Sequence, residues 1–193
     1  MDYFSTVIDR VNDDRLRVYL YNFPAMSQVP LGLKVVEALL RRFPRQVAGM
    51  KDSSGEWDST RGYISNFASE GFEVFAGTEM LLRDTVLAGG AGCISATANV
   101  NPRALADLYV ACVRGGGEAE NAAARNVRAI FQAYPLIAAM KRVIADARPV
   151  LDWSLVRPPL LPLTRAQGDR LAAALSAIGF DPKRQIPTAD AVQ

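Results

Sequence analysis

Apolar side chains recur along the chain with two alternating periods. Over residues 3–12 (YFSTVIDRVN) they fall at Phe4, Val7, Ile8 and Val11, the spacing of one helix face. Over residues 17–24 (RVYLYNFP) the period drops to two and the residues are aromatic or β-branched, which predicts a strand. Pro24 and Pro30 bracket a loop. A helix follows over residues 31–43, with Leu33, Val36, Leu39 and Leu40 on its apolar face and Pro44 as its stop. Val47, Ala48, Gly49 and Met50 form a short apolar run between turn residues, which suits a buried strand. The alternation then repeats. A helix over 60–69 is capped by Asp58 or Ser59 and ended by Gly71. A strand over 72–77 leads to a helix over 79–88, closed by Gly89 and Gly90. A strand over 92–97 leads through Asn99 and Pro102 into a helix over 103–114.

Strands alternating with helices at this spacing imply a parallel sheet joined by helical crossovers. The remainder reads as helical. A triple glycine at 115–117 precedes a helical segment over 118–146, with a break expected at Pro135. A Pro-rich approach (VRPPLLPL) leads to a last helix over 165–178. The expected division is an α/β part over 1–114, a helical extension over 115–180 and a flexible tail over 181–193.

Composition narrows the chemistry. The chain has 193 residues, half of them hydrophobic, and a net charge of +2 without a basic stripe, so nucleic acid is not an expected partner. The apolar runs are far short of the ~20 residues of a membrane span. The acidic N-terminus lacks the basic start of a secretory leader, so a cytoplasmic location is expected. Cys93 and Cys112 lack metal-ligand spacing and read as reduced core thiols. The chain contains no histidine. That removes Ser-His-Asp and Cys-His catalysis and His-ligated zinc, and leaves proton transfer to Lys, Tyr, Asp, Glu or water.

One stretch then stands out, QVAGMKDSSG at 46–55. A lysine at the carboxyl end of a buried strand is costly. Burial lowers the pKa of such an amine, and the neutral form is a nucleophile. An edge lysine snorkelling to water satisfies the same pattern. In parallel sheets function gathers at the carboxyl ends of the strands, where Tyr21, Lys51, Gly77 and Ser95 fall. Alternation places Tyr21 on one face with Tyr19, and Lys51 on one face with Gly49. A phenol beside an amine is a usable acid–base pair; a core tyrosine with its hydroxyl satisfied is the other reading.

These residues together, Tyr21-Asn22-Phe23-Pro24, Gly49-Met50-Lys51-Asp52-Ser53-Ser54-Gly55, and Gly92-Cys93-Ile94-Ser95 with Asn99 and Pro102, resemble the dihydrodipicolinate synthase / N-acetylneuraminate lyase family over nearly the whole chain. The resemblance implies part of a (β/α)8 TIM barrel, its four C-terminal βα units, plus a C-terminal helical extension. It implies class I aldolase chemistry on pyruvate or another 2-oxo acid, without metal or other cofactor. Lys51 would form the Schiff base and Tyr21 would shuttle protons. Gly77 and the backbone of Ile94 would line the substrate site. A homo-oligomer, tetramer or dimer, is also implied.

Two departures from the family pattern qualify it. The four preceding units are not in this sequence, and with them the Gly-Thr-Thr-Gly loop for the pyruvate carboxylate and a second tyrosine. A truncated or mis-started reading frame is therefore expected. Met26 stands where dihydrodipicolinate synthases carry an arginine for the second substrate. That favours aldol cleavage of a 2-oxo (sugar) acid. The alternatives are a 4-hydroxy-tetrahydrodipicolinate synthase of lysine biosynthesis and a catalytically incomplete fragment. Ser53 and Glu79 are candidate substrate contacts; a turn serine and a dipole-stabilising helix-start acid are their plainer readings.

Overall fold

The structure is a computed structural model of the chain and describes residues 1–148 and 153–186. It divides into two compact units, Met1–Ser95 and Ala96–Gln193. The first opens with helix α1 (Asp2–Val11), which tethers strand β1 (Val18–Asn22) through packing of Phe4 and Ile8 into the core. A short helix α2 (Pro24–Ser27) follows. Proline at its first position needs no partner for a missing N–H, so Pro24 starts this turn as well as ending the strand. Helix α3 (Leu33–Arg42) buries Val36 and Leu39 and leaves Leu33 exposed. Strand β2 (Val47–Asp52) then carries Lys51.

Helix α4 (Trp57–Phe67) begins ahead of Asp58 and Ser59; its N-cap is Glu56, without a side-chain cap bond. Neither expected cap is used, because Trp57 already packs on the core and draws the first turn forward. A 3-10 turn (Ala68–Glu70) and Gly71 at φ 84° close this segment. Strand β3 (Glu73–Ala76), a 3-10 turn (Glu79–Leu81) and helix α5 (Leu82–Leu87) complete the third repeat. Strand β4 is only Gly92–Cys93. The ladder continues one bond further, Ile94 N–H donating to Ala76 at 2.9 Å, before the chain turns into a 3-10 segment. The strand expected over 92–97 is thus shortened, since no fifth strand among the described residues holds its outer edge.

The sheet is parallel throughout, in the order β1-β2-β3-β4. Its register aligns Tyr21 with Lys51 and Asn22 with Asp52. One face is sealed by a core that includes Leu20, Met50, Val74, Val36, Leu39, Tyr63, Ile64 and Phe67. The other face is open, with Tyr19, Tyr21 and Ile94 each about half exposed (47%, 52% and 48%). Lys51 lies on this open face and is half-buried rather than enclosed, because no layer of side chains among the described residues covers it.

The second unit is helical. It comprises α6 (Pro102–Val113), α7 (Glu118–Gln132), α8 (Leu136–Ala147), α9 (Arg165–Ala177) and a short α10 (Pro182–Gln185). Pro135 separates α7 from α8, as expected. Val100, Phe131, Ala139, Leu171 and Leu175 form its core. The second unit begins at Ala96, and within it α6 packs against α7 across the glycines 115–117. The tail expected to be loose includes α10, capped by the Asp181 side chain on Lys183 N–H at 3.0 Å; residues 187–193 lie outside the described residues.

Candidate active site

Local sequence places each reactive side chain. In β1 and β2 the residues alternate between sealed and open faces, so the apolar Leu20 and Met50 go inward and Tyr21 and Lys51 outward. The register sets them side by side on the last rung but one. Lys51 Nζ donates to the Tyr21 hydroxyl at 3.2 Å and lies 4.6 Å from the centre of the Tyr21 ring. Phe23 stacks on the other part of that ring, with centroids 5.6 Å apart and planes 27° from parallel. The Tyr21 side chain is therefore held by its own strand while its hydroxyl points along the sheet toward Lys51.

Glycine at position 49 makes room for the aromatic layer below. A Cβ there would come within 2.3 Å of the Glu73 carbonyl oxygen and 2.7 Å of the Tyr19 ring. Tyr19 crosses β2 at that point, donates its hydroxyl to Glu73 and meets Phe75 at 6.0 Å. Burial of the Tyr19 phenol is slight, and the hydrogen bond to the Glu73 carboxylate holds its pKa above the ordinary value. Tyr19 is thus a weaker acid than Tyr21, although both lie on one face.

The Tyr21 phenol is tuned the other way. Partial burial pushes it up, but hydrogen bonds with Ser53 and Lys51 and the Lys51 charge together outweigh burial and hold it below its ordinary value. Ser53 thereby joins the pair. Its N–H donates to the Asn22 carbonyl at 2.7 Å, and Gly77 sits directly against it. A Cβ on Gly77 would come within 2.2 Å of Ser53 Oγ. Tyr21, Lys51, Ser53 and Gly77 are brought together.

Ile94 and Glu79 stand apart from that cluster. Ile94 is exposed on the open face, and its N–H is engaged with the Ala76 carbonyl. Glu79 is fully buried and accepts a hydrogen bond from Ser95. Its charge reaches Cys93. Burial first, then Glu79, pushes the Cys93 thiol up to about 12, against a smaller opposing pull from Lys51. That thiol is an unreactive neighbour of the amine.

Sequence reasoning missed the buried polar residues under the pair. Asn22 and Asp52 are only 2% and 1% exposed, on the face where alternation otherwise puts Leu20 and Met50. Two polar residues at inward positions on adjacent strands, each next to a candidate reactive residue, were the available signal. Among the described residues no cluster of three or more His, Cys, Asp or Glu side chains could hold a metal ion. No described helix is long and apolar enough to cross a membrane.

Comparison with known proteins agrees on one family. The model of the dihydrodipicolinate synthetase family matches residues 1–178. An uncharacterized DapA-like lyase of Chloroflexus aurantiacus is 28% identical over 180 residues, covering 91% of this chain and 58% of that protein. A 4-hydroxy-tetrahydrodipicolinate synthase of Azoarcus sp. is 29% identical over 188 residues, covering 92% and 59%. Among solved structures, YagE, a prophage protein of the dihydrodipicolinic acid synthase family from E. coli K12 in complex with pyruvate, superposes with a TM-score of 0.83. It is 27% identical, with 93% of this chain and 61% of that chain covered. The chain thus spans about three-fifths of the length of the relatives it matches, and its four-stranded sheet is part of their TIM barrel.

Proposed function

The chain belongs to the dihydrodipicolinate synthetase family, and from that premise we propose that it is a Schiff-base lyase or synthase of pyruvate or another 2-oxo acid, with Lys51 as the amine and Tyr21 as the proton shuttle. The observation that carries this reading is the 3.2 Å contact between Lys51 Nζ and the Tyr21 hydroxyl at the carboxyl end of the sheet. Both groups lie on the open face, within reach of a small molecule.

The chemistry follows from that pair. The neutral Lys51 amine attacks the keto carbon and forms a carbinolamine. The former carbonyl oxygen must then leave as water, and it needs a proton to do so. Tyr21 supplies it and recovers it from the nitrogen or from solvent, acting as acid and then base. Its hydroxyl, bonded with Ser53 and beside the amine, is placed for that step. The resulting iminium draws electrons from the bond between the next two carbons as the hydroxyl on the farther one loses its proton and departs as an aldehyde, so cleavage leaves an enamine rather than a free carbanion; protonation of that enamine and hydrolysis of the imine return pyruvate and the free amine. Ser53 and Gly77 lie beside Tyr21, and Ile94 is exposed at the end of β4. Glu79 is buried against Ser95 and does not reach the open face.

Aldol cleavage of a 2-oxo acid is favoured over condensation with a second, carboxylate-bearing substrate. Met26, on α2, is 74% exposed and offers no charge for such a carboxylate. The synthase reading has its own support in the name of the Azoarcus relative. We further propose a cytoplasmic homo-oligomer as the working form, in line with the family.

Pyruvate with borohydride tests the reading. Lys51→Ala and Lys51→Arg should both lose covalent trapping of pyruvate while keeping native near-UV dichroism. Undiminished trapping in the folded Lys51→Ala protein would reassign the amine.

A further inference from the structure

A second polar pair lies directly behind the reactive one. Tyr21 with Lys51 and Asn22 with Asp52 are successive rungs of the β1–β2 ladder. Alternation sends the first rung to the open face and the second into the helix-covered side, where its neighbours are Leu20 and Met50.

A carboxylate buried there is expensive unless fully satisfied. Asp52 receives four donors. Asn22 Nδ2 donates to Oδ1 at 2.8 Å and Ser54 N–H to Oδ1 at 3.1 Å; Ser54 Oγ donates to Oδ2 at 2.9 Å and Thr60 Oγ1 to Oδ2 at 2.8 Å. Asn22 uses its own oxygen to accept from Leu31 N–H at 3.0 Å. The two main chains are engaged as well: Ser53 N–H donates to the Asn22 carbonyl and Gly77 N–H to the Asp52 carbonyl, both at 2.7 Å.

These bonds exist in one register only. A slip of β1 by one residue against β2 would bury Tyr21 and expose Asn22, parting each from its partner on β2. Two apolar side chains would fill the same space without choosing the register so strictly. The pair also ties down the segment after β1, through Leu31, and the Ser53–Ser54 turn and first turn of α4 after β2. Those segments carry Phe23, which stacks on Tyr21, and Ser53, which bonds to it.

We propose that the Asn22–Asp52 pair is a positioning element that holds Lys51 Nζ against the Tyr21 hydroxyl; its consequence for reaction rests on the reading of Lys51 as the imine-forming amine. Neither residue touches substrate. The pair acts through the rung above it.

Asn22→Asp in the full 193-residue chain is the test. It sets two carboxylates where an amide and a carboxylate now meet. Carboxylates that close share one proton, so the pair survives in acid and is broken by repulsion when both ionise. The rate of pyruvate trapping by cyanoborohydride at Lys51 is measured per folded protein from about pH 5 to about pH 8, as a ratio to wild type. The expected ratio is near one in acid and falls by about 10–100-fold toward pH 8, as for a misplacement of about 1 Å. Asn22→Ala should be low at every pH. A pH-independent ratio for Asn22→Asp overturns the proposal. If Asn22→Asp does not fold, Thr60→Val decides: it removes one donor without adding charge, and an unchanged trapping rate overturns the proposal.

A second readout separates this inference from the lyase reading. Acetylation of Lys51 by acetic anhydride, relative to the exposed Lys34, needs no substrate. The Lys51 to Lys34 ratio in Asn22→Asp should depart from wild type near pH 8 and match it near pH 5. If wild type fails to trap pyruvate but this ratio responds, the lyase reading alone falls. If wild type traps pyruvate and neither readout responds, the positioning role alone falls.

Discussion

Tyr21 is a half-exposed phenol with an amine 3.2 Å from its oxygen, so losing its hydroxyl should cost chemistry and not folding. Tyr21→Phe keeps the ring stacked on Phe23. Imine formation should slow by roughly 10²–10⁴-fold, the range for a lost general acid–base group. Stopped-flow trapping with unchanged dichroism checks this, and a near-normal rate would move the shuttle to another group. Cys93 gives a separate prediction. Its thiol is pushed up to about 12 in the folded state, against an ordinary 9.0. A folded pKa raised above the unfolded one gives stability that is full below about pH 9 and is lost as pH rises through about 12. The loss approaches ~1.4 kcal/mol per pH unit for one proton in that window. Urea melts of wild type should fall above pH 9, and Cys93→Ala should remove that part of the fall. At this scale strand parity and strand-end position made Tyr21 and Lys51 legible as neighbours, and the family resemblance supplied their roles. The tuning of Tyr21 by Ser53, and the burial of Glu79 behind Ser95, depend on side-chain directions across the sheet that no spacing rule contains.

Strands β1 to β3 and helices α3, α7, α8 and α9 follow their hydrophobic periods closely, because each buries one continuous stripe. The elements that differ are those whose limits are set by neighbours. Strand β4 ends at Cys93 because its outer edge lacks a partner among the described residues, and α4 starts at Trp57 because that indole joins the core. Close strand contact also makes Gly49 special in a way sequence could not show. A methyl there meets the Glu73 carbonyl oxygen of β3 at 2.3 Å, and backbone cannot swing aside. Gly49→Ala should therefore destabilise the chain by about 1–3 kcal/mol, the usual cost of overpacking. Chemical denaturation measures it. An unchanged midpoint would show that β2 and β3 can separate locally without loss.

For the chain as a whole, the alternation of strands and helices made the parallel sheet legible and the family resemblance made the partial barrel legible, while the exposed face became visible only in three dimensions. Tyr19, Tyr21 and Ile94 on that face, and the outer edges of β1 and β4, are apolar or unpaired surface of the kind that drives association. Sedimentation velocity on the isolated chain should show mass rising with concentration. A single monomeric species at every concentration would contradict that expectation. Function turns on a different measurement. The chain has four lysines, Lys34, Lys51, Lys141 and Lys183, of which Lys51 alone is hydrogen-bonded to a tyrosine on the open face among the described residues. Treating the intact chain with pyruvate and borohydride, then mapping the modified peptide by tandem mass spectrometry, asks which amine forms the imine. The expected result is one adduct, on Lys51, saturating with pyruvate. An adduct spread over all four lysines, or none at Lys51, would contradict the Schiff-base assignment.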